Sequence, residues 1–159
     1  VLCAAWIGFG LGHLLLLREM DDEPRLLAFT VVLTVWAADT FAYFAGRLFG
    51  RHKLAPTLSP GKTWEGFVVG SLVGIFVAFV ALYDTRDTYL RIWQALLLGL
   101  VVVLAAAAGD LFESMLKRDM AVKDTGRLLG GHGGILDRVD ALLFAGIAAF
   151  YLVLGFGHA

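Results

Sequence analysis

A single cysteine, Cys3, occurs in the 159 residues. One thiol permits no internal disulfide and no C-x-x-C metal site, which excludes a disulfide-stapled scaffold and a thiolate zinc centre. Cys3 sits in an apolar run and reads as a small packing residue. Charge is scarce as well: 17% of residues are charged, against about a quarter in a soluble domain. The net charge of −1 carries little information, because the few charges are unevenly placed. No basic stretch precedes the first apolar run, so no cleavable signal peptide is evident. Internal repeats and low-complexity tracts are missing, and a single domain over 1–159 is expected. The chain opens on Val1 inside an apolar stretch, from which a longer parent protein is expected.

What the chain has in quantity is hydrocarbon. Hydrophobic residues make up 59%, and the mean hydropathy is +0.78. Five apolar segments stand out, at 1–17, 26–46, 66–83, 93–113 and 139–157. At a rise of about 1.5 Å per residue, each approaches the ~30 Å hydrocarbon thickness of a bilayer. A helix satisfies its own backbone hydrogen bonds, which lipid cannot do. The expected fold is therefore all-α and polytopic, with about five transmembrane helices. Nine of the thirteen Lys and Arg fall in 47–65 and 114–138, and four in the other two connections. Helix parity puts both basic loops on one side, and the excess of positive charge makes that side cytoplasmic. The chain is thus expected in the cell (inner) membrane, with two active-site loops facing the cytoplasm.

Two aspartates lie where lipid-buried helices avoid them: Asp39 in VWAADTFAYFAGR and Asp110 near the end of LAAAAGDLFES. An ionisable group there costs several kcal/mol unless it is paired, hydrated or bound to a cation, so a functional role is the default. Asp110, Ser114 and Lys117 are spaced i, i+4, i+7 and share one helical face. That face offers a carboxylate, a hydroxyl and an ammonium in order, which suits a divalent cation beside a phosphate. Glu113 is placed on a different face, as a weaker candidate.

The loops carry the rest. GGHGGILDRVD (130–140) sets four glycines around His132, allowing backbone N–H groups to approach an anion closely. Asp137 and Asp140 follow at i, i+3 at the start of the last helix. Capping explains one aspartate there, but not Asp137, Arg138, Asp140 and His132 together. In LAPTLSPGKTWEG (54–66), Ser59, Lys62 and Thr63 put two hydroxyls and an ammonium around Gly61. The stretch is similar to a phosphate cradle, yet it is not a Walker A loop. Trp64 reads as an interfacial anchor.

These motifs resemble those of the phosphatidate cytidylyltransferases, also called CDP-diacylglycerol synthases. The matching frame in 114–140 is Ser114, Lys117-Arg118, Lys123-Asp124, His132-Gly133-Gly134 and Asp137-Arg138-x-Asp140. Residues 39–66 resemble the second cytoplasmic motif of that family, and Asp110 matches the Gly-Asp that opens its signature helix. Gly130 departs from the pattern, standing where the family often has proline. Members also usually carry more helices upstream, so the resemblance implies that this chain is the C-terminal catalytic part.

The resemblance implies transfer of the cytidylyl group of CTP to phosphatidate, giving CDP-diacylglycerol and pyrophosphate, with Mg²⁺ required. A second cation is left open. On that reading Asp110 and Asp137 bind the metal, with Asp140 close by. Ser114 and Lys117 complete the catalytic face, while Lys117, Arg118 and Lys123 neutralise phosphate charge. Ser59, Lys62 and Thr63 hold phosphate from the other loop. His132 and Gly133 shape the nucleotide pocket with Arg138 beside them, Asp124 orients a lysine or the nucleotide, and Asp39 completes the polar cavity. The expected partners are CTP, phosphatidate and the lipid bilayer, with no nucleic acid; a homodimer is left open. The competing readings are a CTP-dependent polyprenol or lipid kinase and, further off, an ion-coupled transporter. A CDP-alcohol phosphotransferase would need a D-G-x-x-A-R frame, which the sequence lacks.

Overall fold

The computed structural model describes residues 2–20, 24–120 and 136–157, with the side chains of 2–5, 24 and 136–138 excepted. Five helices follow one another: α1 (Leu2–Glu19), α2 (Pro24–Phe49), α3 (Trp64–Ala81), α4 (Ile92–Asp119) and α5 (Leu136–Gly155). They coincide with the five apolar segments. Three regions, Arg25–Phe49, Trp64–Ala81 and Ile92–Asp119, are long and apolar enough to cross a membrane. Helices α2 and α4 run past their apolar segments, to Phe49 and Asp119, because a helix that has left the hydrocarbon continues in water when its residues permit.

Local chemistry sets the helix ends. The Thr63 side chain caps α3, accepting from the Gly66 N–H at 3.2 Å, and Glu65 adds negative charge to the first turn, where the helix dipole favours it. At the start of α4 the Gln94 side chain accepts from the Arg91 N–H at 2.8 Å. Lys117 and Arg118 lie in its last turn, the favourable end for cations.

Helix α2 packs most extensively on α3. The seam is made of small residues four apart. A Cβ on Gly66 would come within 2.5 Å of the Ala42 carbonyl, and one on Gly70 within 2.5 Å of the Ala38 carbonyl. Within lipid, where apolar burial gives helices little reason to associate, such close backbone approach supplies the dispersion contacts. Gly109 likewise brings α4 against the backbone of Asp140 and the ring of Phe144 on α5. The interior is completed by Leu27, Val31, Val35, Leu98, Val102 and Ala145. Phe29, Trp36, Phe44, Leu72, Phe76 and Leu104 point outward instead, as a lipid-facing belt requires.

One element departs from the all-α expectation. Residues Lys53–Ala55 (β1) and Ser59–Thr63 (β2) form an antiparallel hairpin, pairing Lys53 with Thr63 and Ala55 with Ser59 across an irregularity. Both strands are edges, where proline is tolerated, so Pro60 sits in β2 without breaking a ladder. The hairpin base is fixed to α3: the His52 carbonyl accepts from the Trp64 N–H at 2.9 Å, and His52 Nδ1 lies 2.6 Å from Glu65 Oε1.

Candidate active site

Four elements meet where α2 and α4 end and α3 and α5 begin. Asp39 and Asp110 both line two adjoining cavities there. The first, of about 320 Å³, is mainly apolar and is bounded by Ala38, Ala42, Phe67, Val103 and Ala106, with Lys62 and Thr63 at the hairpin side. The second, of about 280 Å³, is polar and is lined by Thr40, Glu113, Lys117 and Asp140 together with the shared aspartates.

The charges are distributed over three helices and a hairpin. Asp39 comes from α2, Asp110 and Glu113 from α4, and Asp140 from the first turns of α5. The Nζ of Lys62, on β2, is ion-paired with Oδ2 of Asp110, each side chain a little under one-third exposed. Lys117 Nζ lies 3.2 Å from Glu113 Oε2. Glu113 is 1% exposed and Asp140 is 7% exposed. At the rim, Arg47 donates to the Tyr43 hydroxyl at 3.0 Å, and Arg118 Nε reaches the Leu58 carbonyl at 3.4 Å, joining the end of α4 to the turn of the hairpin.

The residues singled out from sequence divide accordingly. Asp110, Lys117, Asp140, Lys62 and Thr63 line the cavities, as does Asp39. Thr63 also has a structural part: its hydroxyl accepts the Gly66 N–H and the residue is buried, so it caps α3. Ser59 pairs in the hairpin, Ser114 is half-buried on α4, and neither lines these cavities. Asp137 and Arg138 belong to the first turn of α5, but their side chains lie outside the described residues. Lys123, Asp124, His132 and Gly133 lie wholly outside them.

Glu113 is the residue that sequence reasoning undervalued. Three residues on from Asp110 in a helix is a rotation of about 300°, hence about 60° from the same face. Glu113 therefore enters the same polar cavity rather than a separate one.

The donor set can be tested against a divalent cation. Mg²⁺ prefers oxygen ligands and commonly takes one or two carboxylates, completing its shell with water and substrate phosphate. Four carboxylates border the shared cavities, which fits that chemistry. Among the described residues no three His, Cys, Asp or Glu side chains are grouped closely enough to form a protein-only cage, an arrangement that Mg²⁺ bound with phosphate does not need.

Comparison with known proteins adds an independent finding. The sequence profile described as the cytidylyltransferase family matches residues 1–156. A phosphatidate cytidylyltransferase of Haemophilus influenzae is 45% identical over 118 residues, covering 72% of this chain and 41% of the relative. One of Staphylococcus haemolyticus is 43% identical over 144 residues, covering 91% and 54%. The chain thus spans about half the length of the curated relatives it matches. A solved structure described as an intramembrane enzyme for archaeal membrane lipid biosynthesis superposes with a TM-score of 0.58 at 21% identity. It covers 82% of this chain and 89% of that one, a likeness of fold.

Proposed function

This chain belongs to the cytidylyltransferase family, and on that premise we propose that it transfers the cytidylyl group of CTP to phosphatidate, yielding CDP-diacylglycerol and pyrophosphate. The observation that carries the proposal is the meeting of Asp39, Asp110, Glu113 and Asp140 with Lys62 and Lys117 around cavities that are apolar on one side and polar on the other. A water-soluble nucleotide and a lipid phosphate need a place of that kind. The excess of basic residues in the loops supports a reading in which that place faces the cytoplasm.

A phosphatidate oxygen attacks the α-phosphorus of CTP, the bond from that phosphorus to the α–β bridging oxygen breaks, and pyrophosphate leaves. The attacking phosphate is already anionic near neutral pH, so a strong general base is unnecessary. The obstacle is repulsion between two polyanions. Catalysis then consists of positioning and charge neutralisation. Mg²⁺, when bound, supplies Lewis-acid neutralisation of phosphate oxygens. Asp110 is the described carboxylate best placed to hold it, with Asp137 as its partner and Asp140 and Asp39 bordering the same space. Lys62 and Lys117, one in each cavity lining, meet phosphate charge, and Arg118 extends the basic rim. The sequence motifs give His132, Gly133, Lys123 and Asp124, all outside the described residues, to the nucleotide, and Ser59 and Ser114 to phosphate.

Pyrophosphate release from CTP in detergent tests this reading. Release should require phosphatidate and Mg²⁺ together, and Asp110→Asn should lower it by about 10²–10³-fold. Release that persists unchanged in Asp110→Asn removes that residue from the metal site; no phosphatidate-dependent release removes the reaction.

A further inference from the structure

Charge balance at the site singles out Lys62. The described residues that line the two cavities bring four carboxylates (Asp39, Asp110, Glu113 and Asp140) against two ammoniums (Lys62 and Lys117). Lys117 is held by its own helix, through Glu113 four residues back. Lys62 is different. It comes from another element, the hairpin, and crosses to the Asp110 carboxylate on α4. Arg118 makes the reciprocal crossing, from α4 to the Leu58 carbonyl in the hairpin turn. The hairpin is thus tied to α4 by two cationic side chains, Lys62 and Arg118.

We propose that Lys62 is a placeholder for the divalent cation: it neutralises Asp110 while the site is empty, and it is released to a substrate phosphate when the cation takes Asp110. The inference rests on the reading of Asp110 as a metal ligand. A carboxylate at the edge of the hydrocarbon is costly to leave uncompensated, and the lysine supplies that compensation without filling the site permanently. An ammonium on a flexible four-carbon stem can change partner at little cost, whereas a guanidinium fork holds a carboxylate at two points. The order of events follows. Cation binding displaces Lys62, and the freed ammonium faces the cavity that the nucleotide or lipid phosphate must enter. Metal and lysine compete for Asp110 but cooperate once phosphate is present.

Two measurements on the full chain in detergent test this. The first is acylation of lysine amines by an amine-reactive acetylating reagent in the wild-type protein, with Lys62 quantified by mass spectrometry. Mg²⁺ alone should raise Lys62 acylation severalfold over a Mg²⁺-free control, and adding CTP should lower it again. The second is calorimetric titration of Mg²⁺ without nucleotide. Lys62→Gln should bind Mg²⁺ about tenfold more tightly than wild type, the size of a typical coupling between two ligands of one site. Lys62→Arg should bind no more tightly than wild type, and Asp110→Asn added to Lys62→Gln should cancel the gain. Lys62 acylation that Mg²⁺ leaves unchanged, or unaltered Mg²⁺ affinity in Lys62→Gln, overturns the placeholder even where pyrophosphate release remains Mg²⁺-dependent. Loss of phosphatidate-dependent pyrophosphate release from the wild type would instead overturn the reaction itself.

Discussion

Glu113 shows how much one side chain decides at this site. It is almost wholly buried beside Lys117, at a boundary where an isolated charge of either sign is costly. Its carboxylate holds the ammonium toward the polar cavity rather than toward solvent. Glu113→Gln keeps the shape and removes the charge, and it should cost about 1–3 kcal/mol of stability. The fall should appear as a melting transition several degrees lower in detergent, with Glu113→Asp milder than Glu113→Gln. An unchanged transition in Glu113→Gln would mean that the pair is held by its surroundings and not by its charge. The sequence displayed the other acidic residues more openly. Asp39 and Asp110 announce themselves because apolar helices rarely tolerate a carboxylate. Glu113 was obscured by its position among polar neighbours near the helix end, where a charge costs less and draws less notice. Thr63 carried two signals at once: a hydroxyl beside Lys62 suits phosphate, and the same hydroxyl directly before a helix suits a cap, which its bond from the Gly66 N–H displays.

Among the elements, the α2–α3 seam carries the site. Asp39 on α2 and Lys62 on the hairpin keep their places only if the two helices remain in close backbone contact through Gly66 and Gly70. A Cβ at Gly70 already meets the Ala38 carbonyl and the Ala42 side chain at 2.5 and 2.7 Å. Gly70→Leu should therefore part the helices at a cost of about 1–3 kcal/mol, lowering thermal stability and cytidylyl transfer together. Gly61→Ala, where a Cβ would meet nothing within 4 Å, should leave stability near that of the wild type. A Gly70→Leu variant as stable as wild type would contradict the seam. The five helices were legible because spanning length and continuous hydropathy are strong, redundant signals. The hairpin was not: three residues paired with five, with Pro56 and Pro60 nearby, give no alternation long enough to read as strands. Its existence depends on tertiary anchors, His52 to Glu65 and Arg118 to Leu58, that join residues 13 and 60 positions apart.

For the whole molecule, the helices deliver acidic side chains from α2, α4 and α5 to one level, and the hairpin supplies the opposing lysine. Many of the described helix residues that face outward are large and apolar, which suits the proposed meeting of a bilayer lipid with a soluble nucleotide at that level. Most directly decisive is the fate of CTP labelled at its α-phosphate, incubated with phosphatidate and Mg²⁺ and then partitioned between solvent and water. Label should enter the lipid phase in step with pyrophosphate release, and chelation of Mg²⁺ should stop both. Label that stays in water as CDP while the terminal phosphate enters the lipid would contradict cytidylyl transfer.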